Sequence, residues 1–137
     1  MYRKILLWGI GFATIAVLLG AFGAHALKAI LTPEKLLSYE TGVRYQLIHA
    51  LALIGLSIYG QQNQSNHFLN KGIEWAAHFF IVGCFLFCGS IYGLALLSVI
   101  HPSWSFILGP ITPMGGLAFM LGWASWARVV WSNKVDM

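Results

Sequence analysis

Four stretches of this chain are apolar for long enough to cross a lipid bilayer, and that limits its fold more than any single motif does. Residues 5–24, 45–60, 75–100 and 106–131 (or 112–131) hold almost no charged side chains. A helix rises about 1.5 Å per residue and the hydrocarbon layer is about 30 Å thick, so a crossing takes about 20 residues. Only helices and closed barrels can cross, because no water is present there to satisfy backbone N–H and C=O groups. Barrel strands alternate apolar and polar every second residue, and these runs do not. The expected class is therefore all-α: an integral membrane bundle of four transmembrane helices, up-and-down, in a single domain over residues 1–137. The expected spans are about 5–27, 43–60, 73–100 and 112–132.

Composition agrees: 58% of residues are hydrophobic and 9% charged, against roughly 25% charged in soluble domains. Eight Lys and Arg against four acids give +4, with no basic run dense enough to follow a nucleic acid backbone. Their expected use is topological. With four spans the termini share a side, which holds Arg3, Lys4, Lys71, Arg128 and Lys134, while Lys28, Lys35 and Arg44 lie opposite. The positive-inside rule then puts both termini in the cytoplasm. Trp8, Tyr59, Trp75, Trp126 and Trp131 fall near the inner interface, and Tyr39 and Trp104 near the outer one. Arg3, Lys4 and the Ala24-His25-Ala26 triplet imitate a signal peptide, but the apolar run between them exceeds the usual 7 to 15 residues, so cleavage is not expected.

The second run is short, and Thr32, Pro33 and Glu34 read upstream of it as an N-cap, a first-turn proline and a first-turn acid. They predict a short interfacial helix from Pro33 to about Glu40 that bends near Gly42 into the second span. The polar segment QQNQSNHFLNKG, residues 61–72, reads as a solvated loop between two hairpins. Cys84 and Cys88 are four apart on one face of a helix, a geometry that disfavours a disulfide; they read as small packing residues, with a soft-metal pair as the alternative. Glu74 and His78, also four apart, read as an interfacial ion-pair turn.

In an up-and-down bundle the end of the first span, the start of the second, the end of the third and the start of the fourth share one membrane face. There the sequence places His25; Glu40, Thr41, Arg44, Tyr45, Gln46 and His49; Ser90 and Tyr92; and Thr112. These residues predict one polar cluster at the outer leaflet. Glu40 with Arg44, and Tyr45 with His49, are four apart and share helical stripes. Counted from the start of the second run, His49 lies roughly 6–8 Å inside, with Tyr45, His25, Ser90, Tyr92 or a water as its expected partners. Intramembrane polar groups are functional candidates, and they are equally an ordinary means of fixing helix register. Small residues at four-residue spacing, Ala16, Gly20 and Ala24, Gly89 and Gly93, and Ala118 and Gly122, together with Gly23 and Gly116, predict close helix packing.

The blocks LGAFGAHALK, YETGVRYQLIHALALI, LFCGSIYGLAL and GPITPMGGLAFMLGW, spanning Leu19 to Trp123, resemble the small membrane family of domain of unknown function 423, akin to transmembrane protein 256. The resemblance implies a bacterial inner-membrane protein with four helices and no assigned activity. Its recurrent positions are matched by Gly23, His25, Tyr45, Gln46, His49, Ser90, Tyr92, Pro113 and Gly116.

Three functions compete. A non-enzymatic structural or accessory membrane protein needs only small-residue faces and a polar rim; its partners are the lipid bilayer and a homodimer mate or another membrane protein. A small-solute or lipid carrier would need an oligomer to enclose a path, and proton coupling would fall to His49, since no Asp or Glu lies within the first or second run. An intramembrane enzyme, or a metal or haem site on His25 and His49, lacks further ligands, and no CxxC, HExxH, nucleophile elbow or phosphate loop occurs. The expectation is no catalytic residue, no metal, no cofactor and no nucleic acid.

Overall fold

The computed structural model describes residues 1–63, 67–100 and 104–133. Its elements are α1 (Tyr2–His25), a 3-10 turn (Leu27–Ala29), α2 (Pro33–Gln62), α3 (His67–Gly83), a π-helical turn (Cys84–Cys88), α4 (Gly89–Ile100), α5 (Trp104–Leu108) and α6 (Ile111–Asn133). Four helical stretches are long and apolar enough to cross a membrane: Tyr2–Ala29, Pro33–Gln62, Leu69–Leu97 and Phe106–Asn133. The chain is an all-α membrane bundle of four spans, the third built from α3, the π turn and α4.

Local chemistry explains the boundaries. Thr32 caps α2, its Oγ1 accepting from Lys35 N at 3.5 Å, and Pro33 occupies the first turn, where its missing N–H costs nothing. Helix α2 then runs unbroken for 30 residues, so Pro33–Glu40 is its first two turns and the predicted break near Gly42 is absent; only the 3-10 turn stands apart between the first two spans. Gly42 packs closely under Ile91 and Tyr92, so its missing side chain admits α4 rather than interrupting the helix. The predicted loop 61–72 is also mostly helical, since α2 continues to Gln62 and α3 begins at His67. Pro113 is tolerated in the first turn of α6, where an N–H would have no intrahelical partner.

Helix α1 packs along α2, and α3 along α6; α2 joins the two pairs by lying against α3, the π turn and α4. The main core gathers Phe12, Leu53, Leu56, Ile73, Phe80, Cys84, Cys88 and Phe119, and a smaller one at the other end holds Leu27, Leu31, Tyr39 and Ala95. Of the predicted packing residues, Ala16, Gly23, Ala118 and Gly122 are buried, Gly122 against Phe80 and Gly23 against the Tyr39 ring. Gly20 meets Val43, Gly93 meets Leu108, and Gly116 is in ordinary contact with Phe87. Ala24 and Gly89 face outward, and nothing lies near Gly89, so neither packs as expected. Among the glycines, the closest approach to another helix's backbone is at Gly115, where a Cβ would meet the Phe87 backbone, a residue the four-residue spacing does not select.

Tyr39, expected as an interfacial aromatic, is fully buried and donates from its hydroxyl to Leu19 O at 2.9 Å. The side chain of Trp104 and all of Lys134 lie outside the described residues.

Candidate functional site

The predicted cluster is a set of interhelical hydrogen bonds distributed through the depth of the bundle. Nearest the α6 N-terminus, Ser90 Oγ donates to Phe87 O at 3.0 Å, just past the π turn. That uses its only hydrogen, so at 2.8 Å the Thr112 hydroxyl donates to Ser90 Oγ and ties α6 to α4. Deeper, Tyr92 Oη donates to Gln46 Oε1 at 2.9 Å, and Gln46 Nε2 donates to Phe12 O at 2.9 Å. One amide thus links α4, α2 and α1. Replacing Gln46 by leucine leaves the Tyr92 hydroxyl without a partner, and should lower stability by about 1 kcal/mol, read as a reduced melting temperature in mild detergent.

His49 lies deepest. Contacts along the α1–α2 seam set the level: Gly23 packs on Tyr39, Phe12 bonds Gln46, and Gly9 abuts Ala50 and Ile54. Ten residues past Tyr39, His49 lies about 15 Å further along α2, at the middle of the 30-residue helix. Helix α2 begins at Pro33, a dozen residues before the apolar run, so a count from Tyr45 understates how far along the helix His49 sits.

The ring is buried among aromatic side chains. Phe119 stacks on it at 3.5 Å between centroids and 9° between planes, while Phe80, Tyr45 and Trp123 surround it. The Tyr45 carbonyl can only accept, so the 2.8 Å contact places a hydrogen on His49 Nδ1. Trp123 Nε1–H can only donate, and at 3.2 Å it takes the Nε2 lone pair. The neutral Nδ1–H tautomer therefore has both nitrogens satisfied. A lone pair so engaged is not free to abstract a proton or ligate a metal, and a second ring hydrogen would point at the indole N–H.

The ten predicted residues thus divide. Gln46, His49, Ser90, Tyr92 and Thr112 join in interhelical bonds, and Tyr45 contributes its ring and carbonyl while remaining partly exposed. His25, Glu40 and Arg44 are exposed and take no part; Thr41 bonds back to Leu37 O in its own helix at 3.0 Å. His25 is two residues past Gly23, about 200° around α1, so the turn that buries Gly23 aims His25 outward. Among the described residues no ion pair joins Glu40 to Arg44, and His78 bonds Glu74 through its backbone oxygen at 2.7 Å rather than through its carboxylate. Cys84 and Cys88 are free and buried. Beside His49 an open groove of about 730 Å³ is walled by Tyr45, Phe87, Pro113, Met120 and Trp123.

Sequence reasoning missed Trp123, although a mid-span indole must find an acceptor. It also missed a second polar layer at the opposite end. Tyr2 donates to Asn70 Oδ1, Ser57 Oγ donates to Tyr2 O at 3.0 Å, and Asn133 Nδ2 reaches Asn63 Oδ1 at 3.0 Å and Tyr59 Oη at 3.2 Å. The alignment of helix ends that located the first cluster applies equally to this one.

Residues 19–116 match the family described as a protein of unknown function, DUF423, and this segment is most of the chain. The chain belongs to that family. Among DUF423-related proteins, a UPF0382 membrane protein of Schizosaccharomyces pombe is 38% identical over 122 residues, covering 87% of this chain and 96% of the relative. The UPF0382 inner membrane protein YgdD of Escherichia coli K12 is 39% identical over 110 residues, 80% of this chain and 76% of the relative. A UPF0382 membrane protein of Staphylococcus haemolyticus is 38% identical over 104 residues, 76% of this chain and 75% of the relative. The family therefore extends beyond bacteria to a yeast, wider than the resemblance implied. No solved structure matches the chain. All ten predicted site residues fall within the family match, whereas Trp123, Tyr2 and Asn133 fall outside it.

Proposed function

We propose that this protein is a non-enzymatic structural or accessory protein of the bacterial inner membrane, with both termini in the cytoplasm, acting by association with a second copy or another membrane protein. The observation that carries this reading is the state of His49: its two nitrogens are both occupied by protein groups, so the most plausible reactive centre is a helix clamp. Consistent with it, no buried side-chain nitrogen or oxygen among the described residues is without a partner. The bundle's interior polarity is committed to holding the helices.

What remains for function is the surface. Helix α6 presents Met114, Leu117, Met120 and Leu121 outward, a long, polarizable face suited to another helix. The inner-membrane designation of the Escherichia coli relative, and the placement of Arg3, Lys4, Lys71 and Arg128 at one end, support the location and orientation.

The test is site-specific photo-crosslinking in cells from Leu117 and Met120. The expected result is a discrete adduct, with this chain or one other membrane protein, that positions on the far face of α1, such as Val17, do not give. Absence of any adduct together with a monomer in nanodiscs would contradict the association. Flux driven by a pH gradient in proteoliposomes would replace the reading with a carrier.

A further inference from the structure

At the end of the bundle where α1 begins and α6 ends, α3 and α6 approach closely: a substituent on Gly72 would overlap the side chain of Val129. The contact forms the floor of a groove of about 390 Å³ whose sides carry Lys71, Trp75 and Phe79 from α3 and Ser125 and Arg128 from α6. Lys71 and Trp75 are one turn apart on α3, as are Ser125 and Arg128 on α6, so each helix turns one cation and one further side chain into the same trough. Lys71 and Arg128 are both exposed at its rim. Trp75 and Phe79 lie about 6 and 12 Å further along α3, toward the middle of the membrane, with their rings 5.9 Å apart. Among the described residues no carboxylate lines the groove; Glu74 belongs to the neighbouring one, with Met1, Lys4 and His78.

We propose that this groove binds an anionic phospholipid, its headgroup phosphate between Lys71 and Arg128 and an acyl chain against Trp75 and Phe79. The occupant follows from polarity along the groove: two cations at headgroup level, then aromatic surface at hydrocarbon depth. An extended acidic protein segment could pair with the cations but would have to bring unsatisfied backbone down to Phe79. A lipid supplies charge and hydrocarbon in the required order. Cations near a span's end attract anionic headgroups in general, at about 1 kcal/mol each. The site differs in holding two of them over one aromatic trough. It stands whether or not the protein has a protein partner.

Native mass spectrometry of the purified protein with phosphatidylglycerol and phosphatidylcholine tests it. Wild-type protein should retain phosphatidylglycerol preferentially, and Lys71→Gln with Arg128→Gln should weaken that binding roughly 30-fold, about fivefold per cation. The double variant Arg3→Gln with Lys4→Gln removes equal charge at the same end and should weaken it no more than about threefold. Equal losses in the two double variants, or no headgroup preference in the wild type, would overturn the site. A second readout does not depend on the charge variants: phosphatidylglycerol with brominated acyl chains should quench tryptophan fluorescence more than brominated phosphatidylcholine, and Trp75→Phe should abolish the excess. Excess quenching that survives Trp75→Phe places the lipid elsewhere and overturns the assignment.

Discussion

Replacing Gly115 by valine is expected to cost about 3 kcal/mol of unfolding free energy in mild detergent, or to prevent accumulation of the folded protein. The side chain would meet the backbone nitrogen and Cα of Phe87, inside the π-helical turn, and not the movable end of a side chain. A helix backbone cannot yield locally, so α6 must move off the third span. That displacement would also draw Thr112 from Ser90 and Phe119 from the His49 ring, which makes the loss cooperative. The neighbouring Gly116 meets only the edge of the Phe87 ring at 3.9 Å, so Gly116→Ala should change stability by less than about 0.5 kcal/mol. Thermal unfolding of both variants, followed by circular dichroism, separates them. Equal melting temperatures for Gly115→Val and wild type would contradict the close approach of α6 to the π turn.

His49→Ala is expected to cost about 3 kcal/mol, whereas His25→Ala should fall within about 0.5 kcal/mol of wild type. Two losses combine at His49: a cavity opens against Phe119 and Phe80, and the Trp123 indole N–H is left without its acceptor in apolar surroundings. Pairing His49→Ala with Trp123→Phe should recover part of the cost, because the orphaned donor is removed along with the acceptor. His25 is exposed and bonds to no described residue, so its truncation removes no packing. Equal destabilisation by the two histidine substitutions would contradict the depth and burial assigned to His49.

The spans were legible because bilayer thickness is a length standard against which apolar runs can be measured directly. The helix start at Pro33 was legible too, from Thr32, Pro33 and Glu34; what was not is that the same helix continues without interruption into the second span. Counting from Tyr45 put His49 near a helix start, whereas it sits at the middle of α2. Alignment of helix ends placed Ser90, Thr112, Gln46 and Tyr92 in one region, and the structure pairs Ser90 with Thr112 and Gln46 with Tyr92, pairings that the sequence reading did not name. Rotation about a helix axis is harder to read. His25 and Gly89 point outward because their azimuths are set by which neighbours pack, and for Gly89 also by the wide turn before it, which no local residue pattern announces. Phe12 O, the acceptor for Gln46, is a backbone atom and carries no sequence signal at all.

Nitrogen-15 NMR of histidine-labelled protein in lipid nanodiscs at neutral pH examines the His49 clamp itself. The expected spectrum shows a single neutral tautomer, hydrogen on Nδ1 and a bare Nε2 accepting from the indole, with a Trp123→Phe variant shifting only the Nε2 resonance. A His49 carrying its hydrogen on Nε2, or exchanging between tautomers, would contradict the clamp and return that imidazole to the set of reactive groups.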